Sequence, residues 1–256
     1  MKRNIFKVIM TFVSISLLLA SCGKTSYRYN NLTSDEDMQE FFEIMVSAKV
    51  PNRDVEAILE YIEIYRNGEY SKKLPNDGWQ QTTKRYQDLY DYTDAINDYT
   101  MQGFEDVNCR QAAFMIYHSF FQAPEAEKLN LQQESQELPE YLKEEFYKYE
   151  ILFSRIPMEE TVEDTVLNFW QNRGVEFEDA SVHLISMWGA EDGEVINYHT
   201  GIMLTAEDGV LFFEKTDPLL PFQLSRFASV DEIKAHLLSR TGVNESTTIF
   251  LDNIAI

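Results

Sequence analysis

The sequence predicts an α+β domain. Apolar residues recur at helical spacing from Ser34 to Gly174. After Gly174 the pattern changes to short apolar runs separated by turn residues, and an amphipathic stretch followed by one more apolar run ends the chain. The helical half is expected to pack on a small antiparallel sheet, with residues 34–256 forming a single α+β domain.

The first residues are set apart from that domain. Lys2, Arg3 and Lys7 form a basic start, and Val8 to Leu19 is mostly apolar with no acidic residue, which is the layout of a secretory signal. It runs into Leu19-Ala20-Ser21-Cys22-Gly23, small residues before a cysteine, as at a lipoprotein cleavage site. The apolar run is short of the about 20 residues that a membrane-spanning helix needs. Residues 1–21 therefore read as a signal peptide, with Cys22 as the lipidated N-terminus. Acyl chains such as palmitate on Cys22 would contribute roughly 0.8 kcal/mol per buried methylene to membrane affinity. Residues 22–33 read as a lipid-anchored tether, and the protein as extracytoplasmic, held to a bacterial membrane.

Within the domain, Ser34 is a helix N-cap before Asp35-Glu36-Asp37, followed by Phe41, Phe42, Met45 and Val46 at helical spacing. A second helix follows Pro51 and Asn52, with Val55, Ile58, Leu59, Ile62 and Tyr65 on one face. Leu74 to Gly78 is a loop. Helical patterns resume around Leu89 and Ile96, around Ala112 to Tyr117, and from Leu138 to Leu152; another is expected to start at Pro157 and run to Gly174. Ala180 to Trp188, Ile196 to Leu204 and Val210 to Glu214 then read as strands, the last two joined at Glu207-Asp208-Gly209. A helix over Ser229 to Arg240 and a strand over Thr247 to Leu251 complete the domain.

Removal of residues 1–21 takes away Lys2, Arg3 and Lys7 and no acid, leaving 19 basic against 43 acidic residues. Such a surface repels phosphate backbones, so nucleic acid is not an expected partner. No Gly-x-Gly-x-x-Gly or Walker loop supports nucleotide binding, no histidine or cysteine spacing supports a metal, and no cofactor is indicated.

The chemistry centres on a cysteine. Of the two in the chain, Cys22 is assigned to lipid, so Cys109 has no intrachain partner. It opens the helical pattern of Gln111 to Phe121, where the macrodipole and free amides favour a thiolate. Oxyanion stabilisation is sought from Asn108, from the Cys109 amide and from Gln102 upstream. A thiolate also needs an imidazole as base and acid; His199 opens the strand His199-Thr200-Gly201-Ile202, and Glu214 at the end of the following strand would orient it. Alternatively, Cys109 is a small buried apolar residue, His199 a satisfied strand histidine, and Glu214 with Lys215 a surface ion pair.

A helix-opening cysteine, a His-x-Gly-Ile strand and a following strand with an orienting polar residue resemble the NlpC-type and CHAP cysteine peptidases and amidases. That resemblance implies a papain-like arrangement and hydrolysis of cell-envelope peptides or other amide bonds, with Cys109, His199 and Glu214 as the triad. The start of the motif departs from the usual Asp-Cys-Ser-Gly, reading Asn108-Cys109-Arg110-Gln111. Over most of the chain, Asn108-Cys109-Arg110, Leu152 to Pro157, His199-Thr200-Gly201 and Leu211 to Lys215 resemble a family of bacterial surface lipoproteins with a domain of unknown function numbered 4300. Two functions stay open: a membrane-tethered thiol hydrolase or amidase, and a catalytically silent binding or structural lipoprotein of the envelope. A sulfur–imidazole separation within about 4 Å in a cleft favours the first.

Overall fold

The computed structural model describes residues 26–76, 78–102, 107–124, 138–240 and 243–256. The expected signal segment and Cys22 lie outside them. Among the described residues, no helix is long and apolar enough to cross a membrane.

The described chain opens with a strand, β1 (Tyr27–Asn30), where a tether was expected. Tyr27, Tyr29 and Asn30 are buried, so this segment carries apolar surface that free solution would expose. It leads into α1 (Asp35–Ser47), which Ser34 caps: its side chain accepts from the Asp37 N–H at 3.1 Å, while the Asp37 carboxylate accepts from the Ser34 N–H at 3.2 Å. Asn30 donates to the other Asp37 oxygen at 2.6 Å and ties β1 to the helix. Then come α2 (Asn52–Arg66), with Val55, Ile58, Ile62 and Tyr65 buried, β2 (Gln80–Thr82), α3 (Tyr92–Gln102) and α4 (Cys109–Tyr117). Every residue of α4 from Gln111 to Tyr117 is buried. A helix without a polar face can only be central, and α4 packs between α2 and the sheet.

The next stretch differs from expectation in detail. After β3 (Phe121–Gln122), the helix expected from Leu138 begins as a 3-10 turn, Glu140–Glu145, and continues as α5 (Phe146–Phe153). Pro157 does not start a helix; it lies in β4 (Ile156–Pro157), and α6 (Val162–Asn172) begins later because the Thr161 hydroxyl accepts from the Asp164 N–H at 3.0 Å ahead of an acidic first turn. β5 (Glu176–Phe177) pairs with β3 as a small separate ladder.

The sheet-forming half contains β6 (Val182–Glu191), β7 (Glu194–Ala206), β8 (Gly209–Lys215), β9 (Phe222–Phe227), α7 (Val230–Leu238), β10 (Thr248–Leu251) and β11 (Ile254–Ala255). The sheet is antiparallel in every pairing, in the order β11-β10-β6-β7-β8-β9-β1-β2, with β4 added to β7. It is therefore larger than the small sheet expected, because β1 and β9 extend it beyond β8. Asp192 and Gly193, at φ 50° and 82°, supply the positive angles that the β6–β7 turn requires.

Alternation along the strands makes two cores. Leu184, Trp188, Leu211, Phe213 and Phe250 face the helical half, whereas Ile185, Met187, Met203 and Phe212 face the other way, onto Ile233 and Leu237 of α7. The β7–β8 ladder runs from Ala206–Gly209 to Ile202–Phe213. Just beyond it lies Gly201, where a Cβ would meet the Phe212 ring at 2.6 Å and the Phe213 carbonyl oxygen at 2.7 Å. Gly201→Ala should therefore lower unfolding free energy by about 2 kcal/mol through overpacking. Urea denaturation measures this, and an unchanged midpoint would mean that Phe212 moves aside freely.

Candidate functional site

Cys109 is the first residue of α4. Its neighbour Asn108 is the N-cap: the side-chain oxygen accepts from the N–H groups of Arg110 at 2.9 Å and Gln111 at 3.0 Å, and the Gln111 side chain accepts from the Asn108 N–H at 2.8 Å. That oxygen is engaged by the helix amides, so it shapes the helix start; as an acceptor it has no part in holding an oxyanion, which needs donors. The cap takes the second and third amides of the helix; the Cys109 amide, beside the sulfur, is not among them. The Gln102 side chain lies outside the described residues.

His199 comes from the middle of β7. The β6–β7 register places His199 opposite Met187 but Asn197 opposite Trp188, so Tyr198 is an extra residue, a bulge that re-aims its neighbours. The Tyr198 ring packs over Gly189, where even a Cβ would collide with it. One side of the imidazole meets Glu214 of β8, with Nε2 2.5 Å from Oε2. The Cys109 sulfur lies beside the same imidazole and the Thr200 backbone N–H, close enough for both to act on the thiol, and with Nε2 held by Glu214 the ring nitrogen left for it is Nδ1. The three residues that sequence reasoning selected are thus adjacent, drawn from α4, β7 and β8.

Glu214 and Lys215 do not form a surface ion pair. Both are buried, on opposite faces of β8: the Lys215 ammonium sits over the rings of Tyr65 and Phe222, at 4.3 and 4.6 Å from their centroids. Glu214 instead faces the C-terminal end of α7, where His236 Nε2 lies 3.6 Å from Oε1 and Arg240, two residues past the helix, donates from Nη2 to Oε2. Tyr27 of β1 packs its ring against His236, with centroids 5.0 Å apart. Sequence reasoning missed Arg240, His236 and Tyr27 as parts of this cluster. The spacing His236-x-x-x-Arg240 carries the signal for the first two, since residues four apart share a face of the helix expected to run to Arg240; the helix stops at Leu238, yet Arg240 Nη2 still lies 3.5 Å from His236 Nε2.

Charge follows from this arrangement. Burial raises the Cys109 thiol, but the His199 charge and hydrogen bond, the Arg110 guanidinium and the Thr200 N–H outweigh it and hold the thiol below its ordinary value. Burial and the Arg240 charge pull His199 down, yet the Cys109 sulfur and the Glu214 hydrogen bond carry it above its ordinary value. Both shifts favour a thiolate–imidazolium pair. Burial pushes Glu214 up, but Arg240, His199 and His236 hold it well below the usual carboxylate range. His236 is itself lowered, chiefly by burial.

The sulfur and imidazole line a cleft of about 400 Å³ together with Met187, Glu191, Tyr198, Asp217, Pro218 and Val243. A site of this kind can hold an extended chain or a small amide with its carbonyl beside a thiolate and an imidazolium.

Arg240→Met should cost about 3 kcal/mol, because it leaves the buried Glu214 charge with less compensation. The sign with pH follows from the depressed Glu214 value: the contribution of this group is present above the unfolded carboxylate value and is lost as pH falls through the folded one. Arg240→Met shrinks that contribution, so its acid unfolding should begin at higher pH than in the wild type, as followed by circular dichroism.

No curated protein and no solved structure matches the chain. A family model does, that of the domain of unknown function DUF4300, over residues 28–254. That span contains β1 from Arg28 onward, the capped cysteine, the histidine strand and Arg240 alike, and on it the chain belongs to the DUF4300 family.

Proposed function

We propose that this protein is a thiol hydrolase or amidase of papain-like design, exported, anchored to the membrane through lipid on Cys22, and acting on peptides of the cell envelope. The observation that carries the reading is the sulfur of Cys109, at the start of a buried helix, beside an imidazole whose Nε2 is held by Glu214, both lining one open cleft. A central helix that begins with the thiol and packs on an antiparallel sheet carrying the histidine supports the papain-like arrangement. The lipobox-like residues Leu19 to Gly23 support the anchor.

In this reading the Cys109 thiolate attacks the carbonyl carbon of a substrate amide, and the Cys109 amide N–H stabilises the oxyanion that forms. The carbon–nitrogen bond then breaks as the His199 imidazolium gives its proton to the departing amine, leaving a thioester. His199, now neutral, takes a proton from water; the resulting hydroxide attacks the thioester and the carboxylate product departs, restoring the thiolate–imidazolium pair. Glu214 is a positioning residue that fixes the ring so that Nδ1 faces sulfur, and Arg240 keeps Glu214 ionised.

The test uses the full-length Cys22→Ser chain, in which Cys109 is the one thiol, and measures its alkylation by iodoacetamide against pH. Wild-type Cys109 should label with an inflection below the free-thiol value of about 8.5. In His199→Ala the counter-charge is gone while burial remains, so the inflection should move above that value and labelling at neutral pH should slow about tenfold or more. Labelling only after denaturation, or a profile that His199→Ala leaves in place, would overturn the proposal.

A further inference from the structure

The cleft has a charge pattern of its own. Among the described residues its basic lining residues are Arg240, which donates to Glu214, and His199, which is held between Glu214 and the Cys109 sulfur, so both are engaged within the catalytic cluster. Its acidic lining residues among those described are Glu191, at the end of β6, and Asp217, just after β8, two strands that flank β7. Asp217 is fixed in place, since one carboxylate oxygen accepts from the Leu219 N–H at 3.1 Å and the Asp217 carbonyl accepts from Leu220 at 3.0 Å. Tyr198, on β7 between those two strands, also lines the cleft, its ring seated on Gly189 and near enough to Glu191 to feel its charge. Two carboxylates and an aromatic ring lining one cleft form a setting that attracts a cation by both Coulomb attraction and the ring quadrupole.

The catalytic groups do not cancel this field. The thiolate and imidazolium balance as a pair, as do Glu214 and Arg240, so among the described cleft-lining residues Glu191 and Asp217 carry the remaining charge; the Arg110 guanidinium, which does not line the cleft, acts on the sulfur from α4. An anionic group beside the reacting carbonyl would meet both carboxylates across low-dielectric walls.

We infer that the cleft selects amide substrates carrying a protonated amine or guanidinium close to the scissile carbonyl, held between Glu191, Asp217 and the Tyr198 ring. This rests on the reading of Cys109 as the reactive nucleophile and names the substrate class of that site.

The experiment reads the field at the sulfur without needing a substrate. Two methanethiosulfonate reagents, one bearing trimethylammonium and the other sulfonate, are reacted with Cys109 in the full-length Cys22→Ser chain. In each, the thiolate attacks the sulfenyl sulfur, a mixed disulfide forms and methanesulfinate leaves. Their rate ratio is compared with that of a free neutral thiol at the same pH and salt. The cationic reagent should be favoured by about tenfold over that reference. Glu191→Gln with Asp217→Asn should remove most of the preference once each charged reagent's rate is divided by the same variant's rate with neutral iodoacetamide, and the amide oxygen that replaces the Asp217 carboxylate can still accept from the Leu219 N–H. Glu56→Gln with Glu60→Gln, which neutralises two exposed carboxylates of α2 that do not line the cleft, should leave the preference in place and so excludes an effect of net charge alone.

A ratio equal to the free thiol's, a preference for the sulfonate, or a preference unchanged in the cleft double variant would overturn the inference while leaving the nucleophile reading intact. Failure of folded Cys109 to react with iodoacetamide would sink both.

Discussion

A carboxylate removed from water stays ionised only if cations and hydrogen-bond donors replace what it loses, and the region around Glu214 is organised by that requirement. The side chain has no exposure, and moving such an ion out of water carries a penalty of several kcal/mol before compensation. Compensation comes from three directions: His199 on the adjacent strand, and Arg240 and His236 from the last helix and its C-terminal end. The cluster therefore fastens α7 to β7 and β8 and sets the side of the imidazole that remains for sulfur. β1 belongs to the same arrangement, because Tyr27 covers His236 and stacks on Phe227, which closes the apolar layer over the charges.

Two other histidine–carboxylate clusters show why the residue types alone do not define a site. His118 has Asp54 2.9 Å from Nε2 and Glu145 3.2 Å from Nδ1, so both ring nitrogens are engaged and α2, α4 and the turn before α5 are joined. His183 meets Asp252 at 2.7 Å, and the same carboxylate accepts from the Tyr117 hydroxyl at 2.6 Å and the Leu184 N–H at 2.8 Å, which ties the β10–β11 turn to β6 and to the end of α4. These are cross-links between elements. The His199 cluster differs in having one ring nitrogen turned to a thiol and an open cleft beyond it. The difference is one of geometry and access, with the chemistry of the pair held in common.

Much of the fold is legible from periodicity. Ser34 and its acidic successors marked the start of α1, the run after Pro51 marked α2, and the change after Gly174 marked where helices give way to strands. Local signals failed where tertiary burial outweighed them. The polar-looking stretch before Ser34 became a strand because Tyr27 and Tyr29 find an apolar face on α7 and β9, and Phe222 to Phe227 became β9 because two neighbours were waiting to pair with it. Pro157 suggested a helix start, yet an edge strand tolerates proline equally well and Thr161 offered a better cap.

For the site, sequence order alone supplied a cysteine at a helix start, a histidine opening a glycine-containing strand, and a glutamate at the end of the next strand, because hairpin connectivity forces those two strands side by side. It also determined the α+β class, since helical and strand periods are written in the spacing of apolar residues. What only the tertiary structure decided is which buried groups surround that glutamate and which line the cleft. Arg240 lies 26 residues from Glu214 in sequence, and Glu191 and Asp217 lie on separate hairpins. No local period encodes contacts of that range; they follow from the packing of α7 on the sheet and from the bulge at Tyr198, both of which depend on the whole core having formed.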